Sequence, residues 1–300
     1  HGEIDLSAEL SRASGDQVWR YVPLTIDDDT REWVRRAIVG ARVSKAGLSL
    51  RGALEDFPFE QGNGEFVVTV DLDQGRLDYA SGWPAIDDIE AALRFEGPGL
   101  RIDARQGRIF GVQLRDVVAD LPDLDMRNRQ PMKLHGQAEG ATADFLRFVS
   151  ESPVRGQVAG FTDGMDAQGR GVLDLSMTMP LHDPDRTTVQ GRFDFADNRI
   201  VVTDWLPPVE QAAGRLQFTE HSFGIEQARG QAFGAPVSIT ARTEERGRVR
   251  FDVRGGASVR ALAAQYDWPV LALLSGNAAW QAAVTVADGV TRVDVQSALE

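Results

Sequence analysis

Over most of the chain apolar residues take every second position for five to nine residues, and then Gly, Asp, Asn or Pro interrupts. That period belongs to a strand whose successive side chains face opposite ways, one face apolar and the other wet. The clearest runs are Phe66, Val68, Val70, Leu72; Leu173, Leu175, Met177, Met179; Val189, Phe193, Phe195; Val249, Phe251, Val253; and Val284, Val286, Val293, Val295. The chain reads as mainly β and antiparallel. Asp73-Gln74-Gly75, Asp197-Asn198, Arg246-Gly247 and Asp288-Gly289 tolerate φ above zero and predict tight hairpin turns, hence a meander. Helices are few. Residues 29–39 have Asp29 to cap, Glu32 at the capping-box position and Gly40 as a stop, with Trp33, Ala37 and Ile38 on one face. Residues 142–150 and 258–266 repeat the i, i+3, i+4 spacing and predict short helices capping a sheet.

The chain also repeats itself. Trp83-Pro84 returns as Trp205 followed by Leu206-Pro207, and Leu93-Arg94-Phe95 as Leu216-Gln217-Phe218. Leu100 to Ile102 matches Phe223 to Ile225, Gly107 to Gly111 matches Gly230 to Gly234, and Gly75-Arg76-Leu77 aligns with Asn198-Arg199-Ile200. A unit this long is too large for a propeller blade and suits a sheet that grows by adding blocks. The expectation is one continuous repeat-built segment over 1–300, with blocks at 1–64, 65–186 and 187–300. The Trp-Pro pairs read as recurring joints, since Pro cannot donate to a ladder and Trp fills a corner.

A sheet with one apolar face must cover it. The predicted helices are too short to do so. A closed sandwich and an open groove filled by apolar ligand both use the same alternation.

Composition removes other options. A net charge of -13 disfavours nucleic acid, and the Arg-rich stretch 242–254 is interleaved with Glu244, Glu245 and Asp252, as on a solvated strand face. The absence of cysteine excludes disulfides, thiolate chemistry and the usual structural zinc. His1, His135, His182 and His221 lack metal-binding spacing. Asp71 to Gly75 and Asp163 to Asp166 faintly resemble calcium loops without the bidentate Glu, and they read as turns. No nucleophile elbow or Gly-rich phosphate loop is present, so no enzyme activity and no cofactor is expected. No run approaches a membrane span of roughly 18 apolar residues. The start at His1, directly into a strand-like run, reads as a mid-protein beginning, with any anchor expected elsewhere.

The ordered set Arg20-Tyr21-Val22-Pro23, Trp33 to Ala37, Gly47 to Gly52, Phe57-Pro58-Phe59, Leu77-Asp78-Tyr79, Trp83-Pro84, Leu93 to Phe95 and Gly107 to Gly111 resembles the YhdP proteins of the AsmA superfamily. That resemblance spans essentially the whole chain. It implies an elongated, curved antiparallel sheet forming an open, taco-like apolar groove, in the periplasmic part of an inner-membrane-anchored protein. It also implies transport of phospholipid between inner and outer membranes, with the acyl chains shielded, rather than catalysis. The alternative is a scaffolding envelope protein with a closed sandwich core. The lining expected for the acyl chains is Val68, Val70, Leu72, Leu93, Phe95, Ile102, Leu173, Leu175, Met177, Phe193, Phe195, Phe218, Ile225, Ile239, Phe251, Trp280 and Val284. The family carries no catalytic residues to transfer.

Overall fold

The structure is a computed structural model that describes residues 2–11, 13–14, 28–57, 59, 62–122, 124, 130–158, 162–203, 206–244, 248–269, 273, 275–287 and 290–298. The first strands are β1 (Glu3–Leu10), β2 (Ala13–Ser14), β3 (Ile38–Ala53), β4 (Glu65–Leu77), β5 (Ile86–Glu96), β6 (Gly99–Ile109), β7 (Val112–Leu121) and β8 (Met132–Ala141). They are followed by β9 (Asp166–Met179), β10 (Thr188–Val201), β11 (Val209–Thr219), β12 (Phe223–Ala232), β13 (Ala235–Thr243), β14 (Val249–Ser258), β15 (Asn277–Ala287) and β16 (Val290–Ala298). The helices are α1 (Asp28–Ala37), α2 (Thr142–Ser150), the single-turn α3 (Val154–Gln157) and α4 (Val259–Gln265). All strands join one antiparallel sheet whose hydrogen-bonded order follows the chain, with β2 as an extra partner of β3. The sheet is open. Contacts group the chain into two compact units, residues 1–138 with 174–189, and residues 139–173 with 190–300.

The elements recur as a helix followed by six strands: α1 precedes β3 to β8, α2 and α3 precede β9 to β14, and α4 precedes β15. Backbone irregularities recur too. Gln74 and Asp197 (φ 56° and 54°), Asp88 and Gln211 (53° and 51°), and Phe110 and Phe233 (53° and 55°) share one sequence offset. So does the ion pair Arg76–Asp87, matched by Arg199–Glu210, both at 3.0 Å.

Two expected turns are corrected by this geometry. Asp73-Gln74-Gly75 and Asp197-Asn198 lie within β4 and β10, where the register shifts between Leu72 and Gly75 and between Phe195 and Asn198. Their tolerance of positive φ serves a bulge, which bends a strand without ending it. Hairpin turns that do carry positive φ include Gly97 between β5 and β6, and Phe110-Gly111, repeated as Phe233-Gly234. Arg246-Gly247, Asp288-Gly289 and Trp205 lie outside the described residues. Gly40 does not stop a helix: α1 ends at Ala37, and Ile38 already pairs with Leu77, because β-branched Ile38 and Val39 suit the ladder better than a last helical turn.

Side-chain hydrogen bonds hold α4 and α1 in place. In α4 the Ser258 hydroxyl accepts the Ala261 N–H at 3.1 Å. Ser258→Ala is expected to cost about 1 kcal/mol, read as a lowered thermal midpoint, and an unchanged midpoint would count against the cap. In α1 the Trp33 indole donates to the Tyr79 carbonyl at 2.9 Å, and the Tyr79 ring lies 6.0 Å from Trp83. Burial, followed by the charge of Asp78, pushes the Tyr79 phenol up to about 12. A raised folded-state value means the stabilisation is complete below the unfolded phenol's pKa of about 10 and is lost as pH climbs through about 12. An ultraviolet titration should show a late-ionising tyrosine that Tyr79→Phe removes.

Candidate functional site: one apolar sheet face

Cross-strand partners in an antiparallel ladder point to the same side, so the register fixes the faces. In the first unit Leu48, Val68, Phe95, Leu100 and Leu121 form one row across β3 to β7. Ala46, Val70, Leu93, Ile102 and Ala119 form the next, and Leu72, Ala91, Ala104 and Val117 a third. On the strand pair that follows, Gln137 reaches Asp174 at 3.4 Å and His135 meets Ser176 at 3.4 Å. Those polar contacts leave Leu175 and Met177 to the other side.

The second unit repeats the arrangement. Phe193, Leu216, Ile225, Ala241, Phe251, Val284 and Val293 are in register across β10 to β16. Phe218 pairs with Phe223, Ile239 with Val253, and Gly255 with Trp280. Leu173 alternates with Asp174 on β9, and Phe195 sits two residues past Phe193 on β10. The reverse face is charged: Asp194 holds Arg215 at 2.6 Å and Arg192 at 3.2 Å, and Arg101 holds Asp103 at 2.8 Å. The guanidinium of Arg250, hydrogen-bonded to Asp252 at 2.9 Å, keeps that carboxyl below the ordinary carboxylate range. Such exposed pairs add little stability and keep this side wet.

Burial separates the apolar side by residue size. Among the described residues the buried apolar ones are ten alanines, four valines and Phe59, with Ala91 at 1% and Ala228 at 4% exposure. All seventeen residues expected as lining are half-buried, neither sealed nor fully exposed. Toward the end strands the face opens further, with Leu10 57% and Val295 62% exposed. A sandwich core would seal its Leu, Ile and Phe first. Most of the sealed residues are small, and the large apolar residues expected as lining keep part of their surface exposed.

Helices reach this face through aromatic rings. In the second unit Phe145 of α2 meets Phe193 edge-on at 4.9 Å, and after α4 Tyr266 lies 6.3 Å from Phe233, whose ring meets Trp280 at 6.0 Å. Phe145 and Phe233 were not expected in the lining. A signal existed for Phe145, on the apolar side of a short predicted helix. Leu48 and Leu216 were missed although they alternate plainly; the periodicity marks them, but only the register places them beside the chosen residues.

No group of three His, Cys, Asp or Glu able to hold a metal occurs among the described residues. Asp163 of the faint calcium-like segment is engaged by Arg155 at 2.7 Å. No described helix is long and apolar enough to cross a membrane.

A family profile described as YhdP protein matches residues 1–300. The chain belongs to the YhdP family. Among YhdP relatives it is 21% identical over 243 residues to the intermembrane phospholipid transporter YhdP of Escherichia coli (strain K12), covering 81% of this chain. The match spans 19% of that relative's length. No solved structure matches the chain.

Proposed function

We propose that this chain is a lipid-conducting stretch of a longer envelope protein, and that its apolar face shields phospholipid acyl chains during passage between inner and outer membranes. The observation that carries this reading is the row structure of the face, in which large aliphatic and aromatic side chains stay half-buried while alanines of the same rows, such as Ala91, Ala119 and Ala241, are sealed. Each methylene moved from water onto such a surface gains about 0.8 kcal/mol, and contacts spread over many strands let a chain slide where one deep polar site would hold it. The face then works as an open groove that repeated blocks extend, the charged reverse side stays in the periplasm, and the two membranes are met by parts of the protein outside this chain. The family likeness to a phospholipid transporter supports the lipid class. The role needs no catalytic residue and no cofactor.

The test is native mass spectrometry of the chain purified from bacteria without detergent, followed by denaturing extraction. Phospholipid is expected at one or more molecules per chain. A lipid-free chain that remains monomeric and stable would turn the reading toward a scaffold.

A further inference from the structure

Several aromatic residues of the face lie opposite glycines. Phe218 of β11 pairs directly with Gly191 of β10, and Phe195 of β10 with Gly214 of β11. Phe193 of β10 lies over Gly171 of β9. A Cβ added at Gly171 would overlap the Phe193 ring, and one added at Gly191 would overlap the Phe218 ring; in both cases every nearest atom belongs to that ring. The two glycines are buried beneath half-buried rings. Phe193 and Phe195, two residues apart on one strand, lie 6.0 Å apart with planes only 25° from parallel, as neighbouring tiles do. An aromatic residue standing upright from a strand would not touch the Cα of its partner. These rings lie down across the sheet, a known means of covering a glycine in a strand.

We infer that Gly171 and Gly191 are positioning residues for lipid passage: they let Phe193 and Phe218 lie flat, keeping the apolar surface low and even where acyl chains cross it. This deepens the proposed function and rests on it. Glycine weakens a strand, and a larger residue there would strengthen the ladder, so its use beneath two rings of the same face needs a reason. The reason is clearance. A side chain at either position meets first the far end of a Phe, which swings about its χ angles, so the ring rises and the strands stay where they are; at Gly171 the displaced Phe193 ring also presses on Phe145 of α2. The mobile part of the response is the surface that lipid touches.

The experiment compares lipid retained per folded chain, by native mass spectrometry after detergent-free purification, for the unaltered chain, Gly191→Ala, Phe218→Leu and the double variant Gly191→Ala with Phe218→Leu. Circular dichroism checks the fold. Gly191→Ala is expected to retain at most a third of the lipid, Phe218→Leu alone sets the reference for a face that has lost one lining ring, and the double variant is expected to return to that Phe218→Leu level because the obstructing ring is gone. Gly171→Ala serves as an independent second site with the same expected loss. A purely structural glycine would change the melting temperature and leave lipid per folded chain unchanged, and that result overturns the inference. So does a double variant as depleted as the single one. A lipid-free unaltered chain sinks the proposed function itself and this inference with it, whereas a loaded unaltered chain with equally loaded variants sinks only this inference.

Discussion

Asn198→Ala is expected to lower the unfolding free energy by about 3 to 4 kcal/mol, because it strips partners from three groups, two of them backbone carbonyls. Asn198 is fully sealed at 0% exposure. Its amide nitrogen donates to the Arg170 and Ala196 carbonyls, both at 2.9 Å, and its oxygen accepts the Thr142 hydroxyl at 2.5 Å. Thr142 is the first residue of α2, and Asn198 follows Asp197 in the β10 bulge, so one amide joins helix, bulge and the neighbouring strand β9. Truncation removes the donor and leaves the bulge in its positive-φ conformation without support. Urea denaturation measures the loss, and hydrogen exchange over 142–150 should show α2 loosening first. A cost below about 1 kcal/mol would mean that the bulge holds without the network. Asn198→Asp sharpens the test: a carboxyl facing two carbonyls favours its protonated form, so its folded pKa is raised. Stability of that variant should therefore be higher in mild acid and fall as pH rises.

The strand pattern was legible because each run carries its own period-two signal, independent of anything distant. β4, β10 and β14 begin where Phe66, Val189 and Val249 start their alternations, while the runs from Leu173 and Val284 occupy only the second halves of β9 and β15. The helices at 142–150 and 259–265 were legible for the same reason. Residues with two local uses were not. Asp197-Asn198 tolerates positive φ equally in a hairpin and in a bulge, and only the continuation of β10 to Val201 decides between them. Asn198 itself read as a turn residue, whereas its side chain is the best-connected buried polar group of the second unit. Its partners lie 56 and 28 residues away, at Thr142 and Arg170, and no local pattern encodes such a contact. The candidate face divides in the same way. Individual residues such as Val70 and Ile225 follow from alternation, but the rows that join them follow from register, and the rings laid over Gly171 and Gly191 follow from cross-strand packing.

Val70→Asp and Thr69→Asp are expected to separate by at least tenfold in lipid retained per chain, with Val70→Asp the depleted one. The two positions are adjacent on β4 and face opposite ways. Thr69 is exposed and pairs with Arg94, so an aspartate there gains an opposite charge across the ladder. Val70 lies between Ala46 and Leu93 in the middle row of the apolar face. A carboxylate at that point brings bound water, and an acyl chain crossing it forfeits contact over about four methylenes at about 0.8 kcal/mol each, about two hundredfold in affinity. Both substitutions carry the same poor strand propensity, so that penalty cancels between them. The stability readout then discriminates between an open face and a sealed one. If the face is open, the half-exposed carboxylate at position 70 stays hydrated and the fold should lose no more than about 2 kcal/mol relative to Thr69→Asp. If protein covers the face, an unpaired charge is buried, the penalty rises to about 3 to 5 kcal/mol or more, and the variant should unfold or shift the carboxyl strongly upward. A stable Val70→Asp that has lost its lipid is the outcome expected of a surface built to be covered by a passing ligand.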